Sequence, residues 1–490
     1  MDKFANWLDG LTKSWMRWWK IRGLKVNIFD EETPKKKKSN PFYWIGGMLY
    51  ILLILQVVVG IVLTFYYVPD TSPVEKVDPS KVMYGHGLTI EGAMKEAEEF
   101  RVKIDAGEMT EDELLTQEEI TQRDEEKAAL TTDEEKALVD TKWATITSQR
   151  KDILAMEGKT PEEIVADLGV IVSKAYISVA DISGNPVTRT IRGIHRYGAY
   201  CFIALLMLRW LRMYFNGEFK KPGELTWIIA TLVVCISTFS GVTGYLLPFD
   251  QRSYWATTVG TQMLDTVDLL PGIGPLGLGA ALKFIGLGAH QVGQTTILRF
   301  NILHYLLPIA MFLAAELYFI RSRKKRPKLN WVMFAILAIV IIGAILYLPA
   351  ISEPPPNTVK TPDHILPDWY FLFVYFYLKF LPGAIGPLLT VLFIVFLVAL
   401  PWIDRREQRN ASGRPAYTTL AIGGLTFFLI GSLVSYWIPF KDADRNIYIY
   451  TILLFNGFVF ALAFFLEYIW RRRVLKKRAE KALALGVKSL

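Results

Sequence analysis

An all-α integral membrane protein with eight transmembrane helices is the fold class this sequence predicts, and three observations predict it. Several stretches reach the ~20 apolar residues a helix needs to cross a bilayer. The 490 residues are 52% apolar and 21% charged, and the charges concentrate in one long segment and a few short runs. Those short runs are basic and sit beside the apolar stretches, the pattern of cytoplasmic loops. A soluble enzyme is excluded. A disulfide-stapled secreted domain is excluded by the presence of two cysteines only. Cys201 and Cys235 lie inside apolar stretches, as small buried residues do, and no CxxCH motif offers a covalent haem attachment. The net charge of +8 suggests nucleic acid only until its placement beside membrane segments is considered.

The first thirty residues carry Trp7, Trp15, Trp18 and Trp19 among Lys and Arg. They read as an amphipathic helix on the membrane surface, since a signal peptide needs an apolar core and a cleavage site. Spans are expected at about 41–68, 190–215, 225–247, 298–320, 330–350, 382–403, 417–438 and 447–470. Basic runs at Lys35 to Lys38, Lys220 and Lys221, Arg321 to Lys328, Arg405 to Arg414 and Arg471 to Arg478 then all fall on one side. That side is cytoplasmic, with both termini inside and residues 471–490 forming a basic tail.

The segment 71–174 is charged, mostly acidic and helical in pattern. Thr110, Thr116, Thr132 and Thr160 each precede a Glu by three residues, the capping-box spacing, and Pro161 suits a first helical position. Leu114, Leu115, Ile120, Leu130, Leu138, Trp143, Ile146 and Ile153 supply a small core. The expectation is an extracytoplasmic helical insertion, with partial disorder as the alternative.

There are five histidines, and His195 and His304 lie within spans, where ionisable groups are costly. Both helices start outside, so the imidazoles sit at similar depth near the outer face. Paired imidazoles on facing helices of a bundle are what a six-coordinate haem iron requires, and Arg192 and Arg299 are placed to meet haem propionates. Gly46 and Gly60 lie on one helix face about 21 Å apart, and Gly241 and Gly244 sit at the depth of His195. Small residues there admit a flat macrocycle or simply allow close helix packing.

Five segments carry a family resemblance: NPFYWIGGMLYILLILQVVVGIVLTFYY (40–67), SVADISGNPVTRTIRGIHRYGAY (178–200), GVTGYLLPFDQRSYWATTV (241–259), VGQTTILRFNILHYLLP (292–308) and TPDHILPDWYFLFVY (361–375). In this order they resemble cytochrome b of the quinol-oxidising cytochrome bc complexes, everywhere except the insertion. The resemblance implies that 41–70 and 175–320 form a haem-binding four-helix bundle and 321–470 a C-terminal four-helix part. It implies that His195 and His304 ligate an outer haem b, lined by Arg192, Arg299, Gln56, Gly60 and Gly244. Pro367 to Tyr370, PDWY, correspond to the family's PEWY motif at the quinol-oxidation site. Asp368 then accepts a proton from quinol, supported by Tyr370, Tyr245 and His364. Without the family, PDWY reads as an interfacial aromatic turn.

One departure is marked. The family carries a second His 14 residues after each of these, holding an inner haem; here those positions are Arg209 and Tyr318. Arg212 and Gly46 match other parts of that pocket, whereas Ala230 replaces an expected Gly. A bis-His inner haem is therefore excluded. Three accounts stay open: the haem is lost, with Arg209 paired to Glu316 or Tyr318 filling the gap; it binds through unusual ligation, since Tyr can ligate haem iron; or another cofactor or subunit completes the inner path.

The function so implied is that of a prokaryotic cell-membrane subunit passing electrons from quinol to a Rieske iron–sulfur protein and to a b-type haem, with proton release outside. The implied partners are that Rieske protein, a further acceptor subunit (a cytochrome or copper protein), the lipid bilayer and a second copy in a homodimer, with no nucleic acid. The competing readings are a haem-binding scaffold that no longer turns over quinol and, more weakly, a transporter.

Overall fold

In a computed structural model, the described residues run from 44 to 484, apart from 86–87, 109–113, 116, 129–132, 157, 222, 270–273, 323–329, 349, 351, 360, 363–365, 382–384, 405, 407 and 438–444. The expected surface helix at 1–30, the run at Lys35 to Lys38 and His364 lie outside the described residues. So does the side chain of Tyr318.

The first span is α1 (Ile45–Thr64). A short antiparallel hairpin, β1 (Met83–Gly85) and β2 (Leu88–Thr89), opens the insertion. Four helices follow, α2 (Ile90–Asp105), α3 (Gln117–Ala128), α4 (Asp133–Leu154) and α5 (Pro161–Leu168). The chain then re-enters the bundle through α6 (Lys174–Gly184), α7 (Pro186–Phe215) and α8 (Glu224–Leu246). Next come α9 (Gln251–Asp265), α10 (Leu278–Leu287), α11 (Gln294–Ser322) and α12 (Trp331–Tyr347), then α13 (Leu372–Phe380), α14 (Ile385–Ile403), α15 (Pro415–Trp437) and α16 (Arg445–Ala484).

Seven helices among the described residues are long and apolar enough to cross a membrane. The chain is a multi-pass membrane protein. The expected fifth span, α12, is equally apolar but has 17 residues, short of the ~20 of a full crossing. Asn185 fixes the start of α7: its side chain accepts from the amides of Val187 and Thr188, and Pro186 takes the first turn, where a missing N–H costs nothing. α7 and α11 both begin four residues earlier than the apolar pattern suggested, so His195 and His304 keep their matched depth. The helix ends are polar turns, which hydropathy alone does not register.

α1, α7, α8 and α11 close a ring of four, α1 against α7 and α11, α8 against the same two. Leu49, Leu52 and Leu53 of α1 meet Phe202, Ile203 and Leu206 of α7 in its core. α12 packs on the outside of α7, and α14 on α8.

Loop contacts gather the helix ends into two groups. At one, the insertion end, Tyr67 Oη donates to Leu247 O (2.8 Å), Lys174 pairs with Asp70 (3.1 Å) and Thr71 N donates to Gln294 (2.7 Å). At the other, the basic end, the α7–α8 connection meets the α14–α15 connection. There the buried Asp404 carboxylate takes Lys220 Nζ at 2.9 Å and Arg414 at 3.6 Å. Lys220 also donates to Arg406 O (2.7 Å), and Arg414 to Tyr214 O (2.9 Å) and Phe215 O (3.0 Å). Burial draws the Lys220 ammonium below the usual lysine range, with Asp404 acting the other way.

Within the insertion, Leu114, Trp143 and Ile153 are buried as expected, with Leu115, Ile120 and Ile146 partly so. Thr160 and Glu163 form a reciprocal capping box with Pro161 in the first turn. Thr110, Thr116, Thr132 and Leu130 lie outside the described residues, as does the side chain of Leu138. The segment is tied together by Arg150, which forks onto Glu119 (2.8 Å twice) and reaches Glu96 (3.3 Å) and Leu114 O (2.8 Å). Pairing of this kind adds direction as well as energy.

Candidate functional site

His195 on α7 and His304 on α11 face each other across the bundle, ring centroids 5.8 Å apart and nearly perpendicular at 81°. His304 Nδ1 lies 2.9 Å from Ser240 O on α8 and 3.4 Å from Thr243 Oγ1. Bonding to a carbonyl places the proton on Nδ1 and leaves the Nε2 lone pair for a ligand. The buried Gln56 amide, which can present oxygen or nitrogen, lies 3.2 Å from His195 Nδ1. A cavity of about 270 Å³ opens beside the two rings, lined by Gln56, Gly60, both histidines, Tyr67, Tyr305 and Pro308 among others.

Glycines make the room. A Cβ at Gly244 would overlap the His304 ring, and one at Gly60 would already sit 3.4 Å from His195 Cε1. A methyl at Gly198 would overlap the Gln56 amide. The donor set and the cradle both fit a six-coordinate haem iron. Among the described residues no group of three or more His, Cys, Asp or Glu converges, so the imidazole pair is a two-ligand arrangement.

Arg192 and Arg299 are held by oxygens of the protein. Arg192 donates to Ser183 Oγ (2.7 Å) and Ala350 O (2.5 Å); Arg299 donates to Ile285 O. These bonds hold Ser183, Ala350 and Ile285 to α7 and α11.

Asp368 sits beyond α12 in sequence yet joins α7 in space. Tyr200 Oη donates to its Oδ1 (2.7 Å) and Tyr370 Oη to its Oδ2 (3.2 Å). Arg196 stands 4.0 Å from Oδ1 and donates to Tyr200 Oη (3.2 Å). Tyr245 Oη reaches Leu366 O at 3.5 Å, two residues before Asp368. Tyr200 and Arg196 were missed in the sequence; the signal was there, since Arg196 is a charge inside a span and Tyr200 follows it by one helical turn. A Cβ at Gly241 would overlap Tyr370 Oη. Gly241 and Gly244 are three apart on α8, so Tyr370 and His304 meet that helix one turn apart.

At the basic end the expected inner pocket looks different. Trp210 stacks on the fully buried Trp227 (5.1 Å, 22°) and donates to Thr231 Oγ1 (3.0 Å). Ala230 packs against the same aromatic cluster. Arg209 is within electrostatic reach of Glu218 and Arg212, and Arg212 is exposed in the last turn of α7. Gly46 is half-buried in the first turn of α1.

Family models match two stretches: "Cytochrome b(N-terminal)/b6/petB" over residues 200–328 and "Cytochrome b(C-terminal)/b6/petD" over 355–465. The chain belongs to the cytochrome b family. A cytochrome b of Rickettsia bellii is 29% identical over 288 residues, 51% of this chain and 70% of the relative. A cytochrome b of Marchantia polymorpha is 27% identical over 287 residues, 51% of this chain and 68% of the relative. A cytochrome b/c1 of Bradyrhizobium diazoefficiens is 26% identical over 287 residues, 50% of this chain and 40% of that longer protein. Among solved structures, one described as a hyperthermophilic respiratory Complex III matches with a TM-score of 0.54 at 18% identity, covering 95% of this chain and 99% of that one. At that identity it speaks to the fold, which the two share.

Proposed function

We propose that this cytochrome b is the quinol-oxidising subunit of a respiratory complex III-like assembly in a prokaryotic cell membrane. One observation carries the reading. A carboxylate dressed by two tyrosines and an arginine shares its helices with a paired-imidazole site, Tyr370 and His304 meeting α8 one turn apart. Quinol oxidation releases two protons and two electrons, and needs a proton acceptor within hydrogen-bond reach of the phenolic oxygen beside an electron acceptor. Asp368 is that proton acceptor. Tyr200 and Tyr370 orient its two oxygens, and Arg196 stands beside it. Tyr245, with its hydroxyl toward the backbone of the same loop, borders the pocket.

His195 and His304 would hold a haem b, with Gln56, Gly60 and Gly244 around it. That haem, when bound, supplies a one-electron acceptor. The second electron requires a Rieske-type iron–sulfur partner and, beyond it, a cytochrome or copper-protein acceptor. The insertion end then faces outside, where protons are released, and the basic end faces the cytoplasm. A homodimer is part of the proposal.

The inner haem is absent in this reading. Trp210, Trp227 and Ala230 occupy space at the depth of Arg209, and the two ligand positions are Arg and Tyr. The test has two measurements. Haem per polypeptide, by pyridine haemochrome, should be one, and two would reject the one-haem reading. Asp368→Asn should slow quinol turnover by about 100-fold or more at unchanged haem content; normal turnover would remove its role.

A further inference from the structure

The stretch from Ala350 to Asn357 joins α12 to the Asp368 segment, and it contains Pro354, Pro355 and Pro356 in succession. Three prolines supply no N–H donors, so this stretch cannot form a ladder or a helix with itself. Polar groups of residues 353–357 are met from two flanks. On one flank the α9 segment contributes: Gln251 N donates to Pro354 O (2.8 Å), Asn357 N donates to Gln251 (2.6 Å) and Trp255 Nε1 donates to Asn357 O (2.8 Å). On the other flank stands the insertion. Ile171 N donates to Pro356 O (2.9 Å), Asn357 Nδ2 donates to Leu168 O (3.0 Å), and Val170 bridges to Asn357.

Tyr176 completes that flank. It is 1% exposed, and its hydroxyl accepts from Met83 N of β1 (3.0 Å) and donates to Glu353 O (3.1 Å). A single phenol therefore ties the hairpin of the insertion to the loop. The loop's near end is pinned to α7, where Ala350 O takes Arg192 and Leu348 O takes Tyr197. Its far end leads to Asp368.

We propose that the insertion is an internal brace for the quinol pocket, with Tyr176 and Asn357 as positioning residues that hold the 350–357 loop and through it Asp368. The brace rests on the quinol-oxidation reading of Asp368. It assigns the contact function to residues 168–176 and the β-hairpin, and none to the acidic faces of α3 and α4.

The experiment uses the full assembled complex in membranes and three variants: Tyr176→Phe, Asn357→Ala and, on the exposed face of α2, Lys95→Ala. Both brace variants should raise the quinol KM roughly 3- to 10-fold, the scale of one lost hydrogen bond, with kcat and haem content held near wild type. Amide exchange in 352–371 should quicken in both, while exchange in α7 and α8 stays unchanged. Lys95→Ala should match wild type throughout. Unchanged KM in both brace variants, with Asp368→Asn still impaired, overturns the brace and leaves the quinol reading standing. Normal turnover in Asp368→Asn instead sinks the quinol reading itself. Exchange that quickens without a change in KM overturns the coupling to the pocket. A general fall in kcat with loss of haem would mean disrupted folding and would also overturn a positioning role.

Discussion

The two ends of the four-helix bundle are built from the same four helices and solve opposite problems. At the insertion end, glycines keep α1 and α8 clear of two half-buried imidazoles, and a cavity of about 270 Å³ lies beside them. At the basic end the same helices are filled: Trp210 lies flat on Trp227, and Asp404 pairs with both Lys220 and Arg414 in a buried cluster. A cavity inside a packed protein costs stability unless a ligand fills it, so the open space beside the imidazole pair is where the proposed haem would contribute to stability. Closed packing with paired charges marks the end that holds the bundle to its C-terminal part. The difference teaches that family membership and site retention are separable along one bundle.

The largest test of this contrast is His195→Ala, expected to take haem per polypeptide from one to none in a folded chain; an unchanged α-band would refute the ligand assignment. Next comes Gly244→Val, which drives a branched side chain into the His304 ring. Haem occupancy should drop sharply, with an overpacking cost of about 1–3 kcal/mol to the apo bundle, read by thermal unfolding in detergent. At the other end, Asp404→Ala strips the counter-charge from two buried cations. It should cost about 3–5 kcal/mol in denaturant unfolding while leaving the haem spectrum unaltered; a spectral change would show that the two ends are coupled. The smallest expected effect is that of Arg209→His combined with Tyr318→His, which should leave the haem count at one because the aromatic packing and Ala230 remain. A second haem in that variant would mean that only ligands were missing there.

Much of this was legible in the sequence. The spans, the matched depth of His195 and His304, and the capping box at Thr160 all follow from local rules of hydropathy and helix ends. The shortness of α12 was missed although Pro349 announces it, since proline disfavours helix at the residue before it; Leu348 O and Ala350 O go instead to Tyr197 and Arg192. The hairpin at residues 83–89 was also missed, being too short for alternation to register. Arg192 and Arg299, read as propionate partners, donate in this structure to Ser183 Oγ, Ala350 O and Ile285 O, contacts that no sequence pattern announced. The ends of long side chains are decided by whatever acceptor folding brings near.

By itself, then, the sequence determined the membrane class, the imidazole pair and the loss of the second histidine pair, because hydropathy, residue identity and helical spacing are properties of contiguous chain. The tertiary structure alone decided that Tyr200 and Arg196 meet Asp368 across 168 and 172 positions, that Lys220 and Arg414 share Asp404, and that the insertion leans on the proline loop. Each of these depends on which elements fold against each other, and a chain of one-dimensional signals carries no record of a contact between polar atoms so far apart.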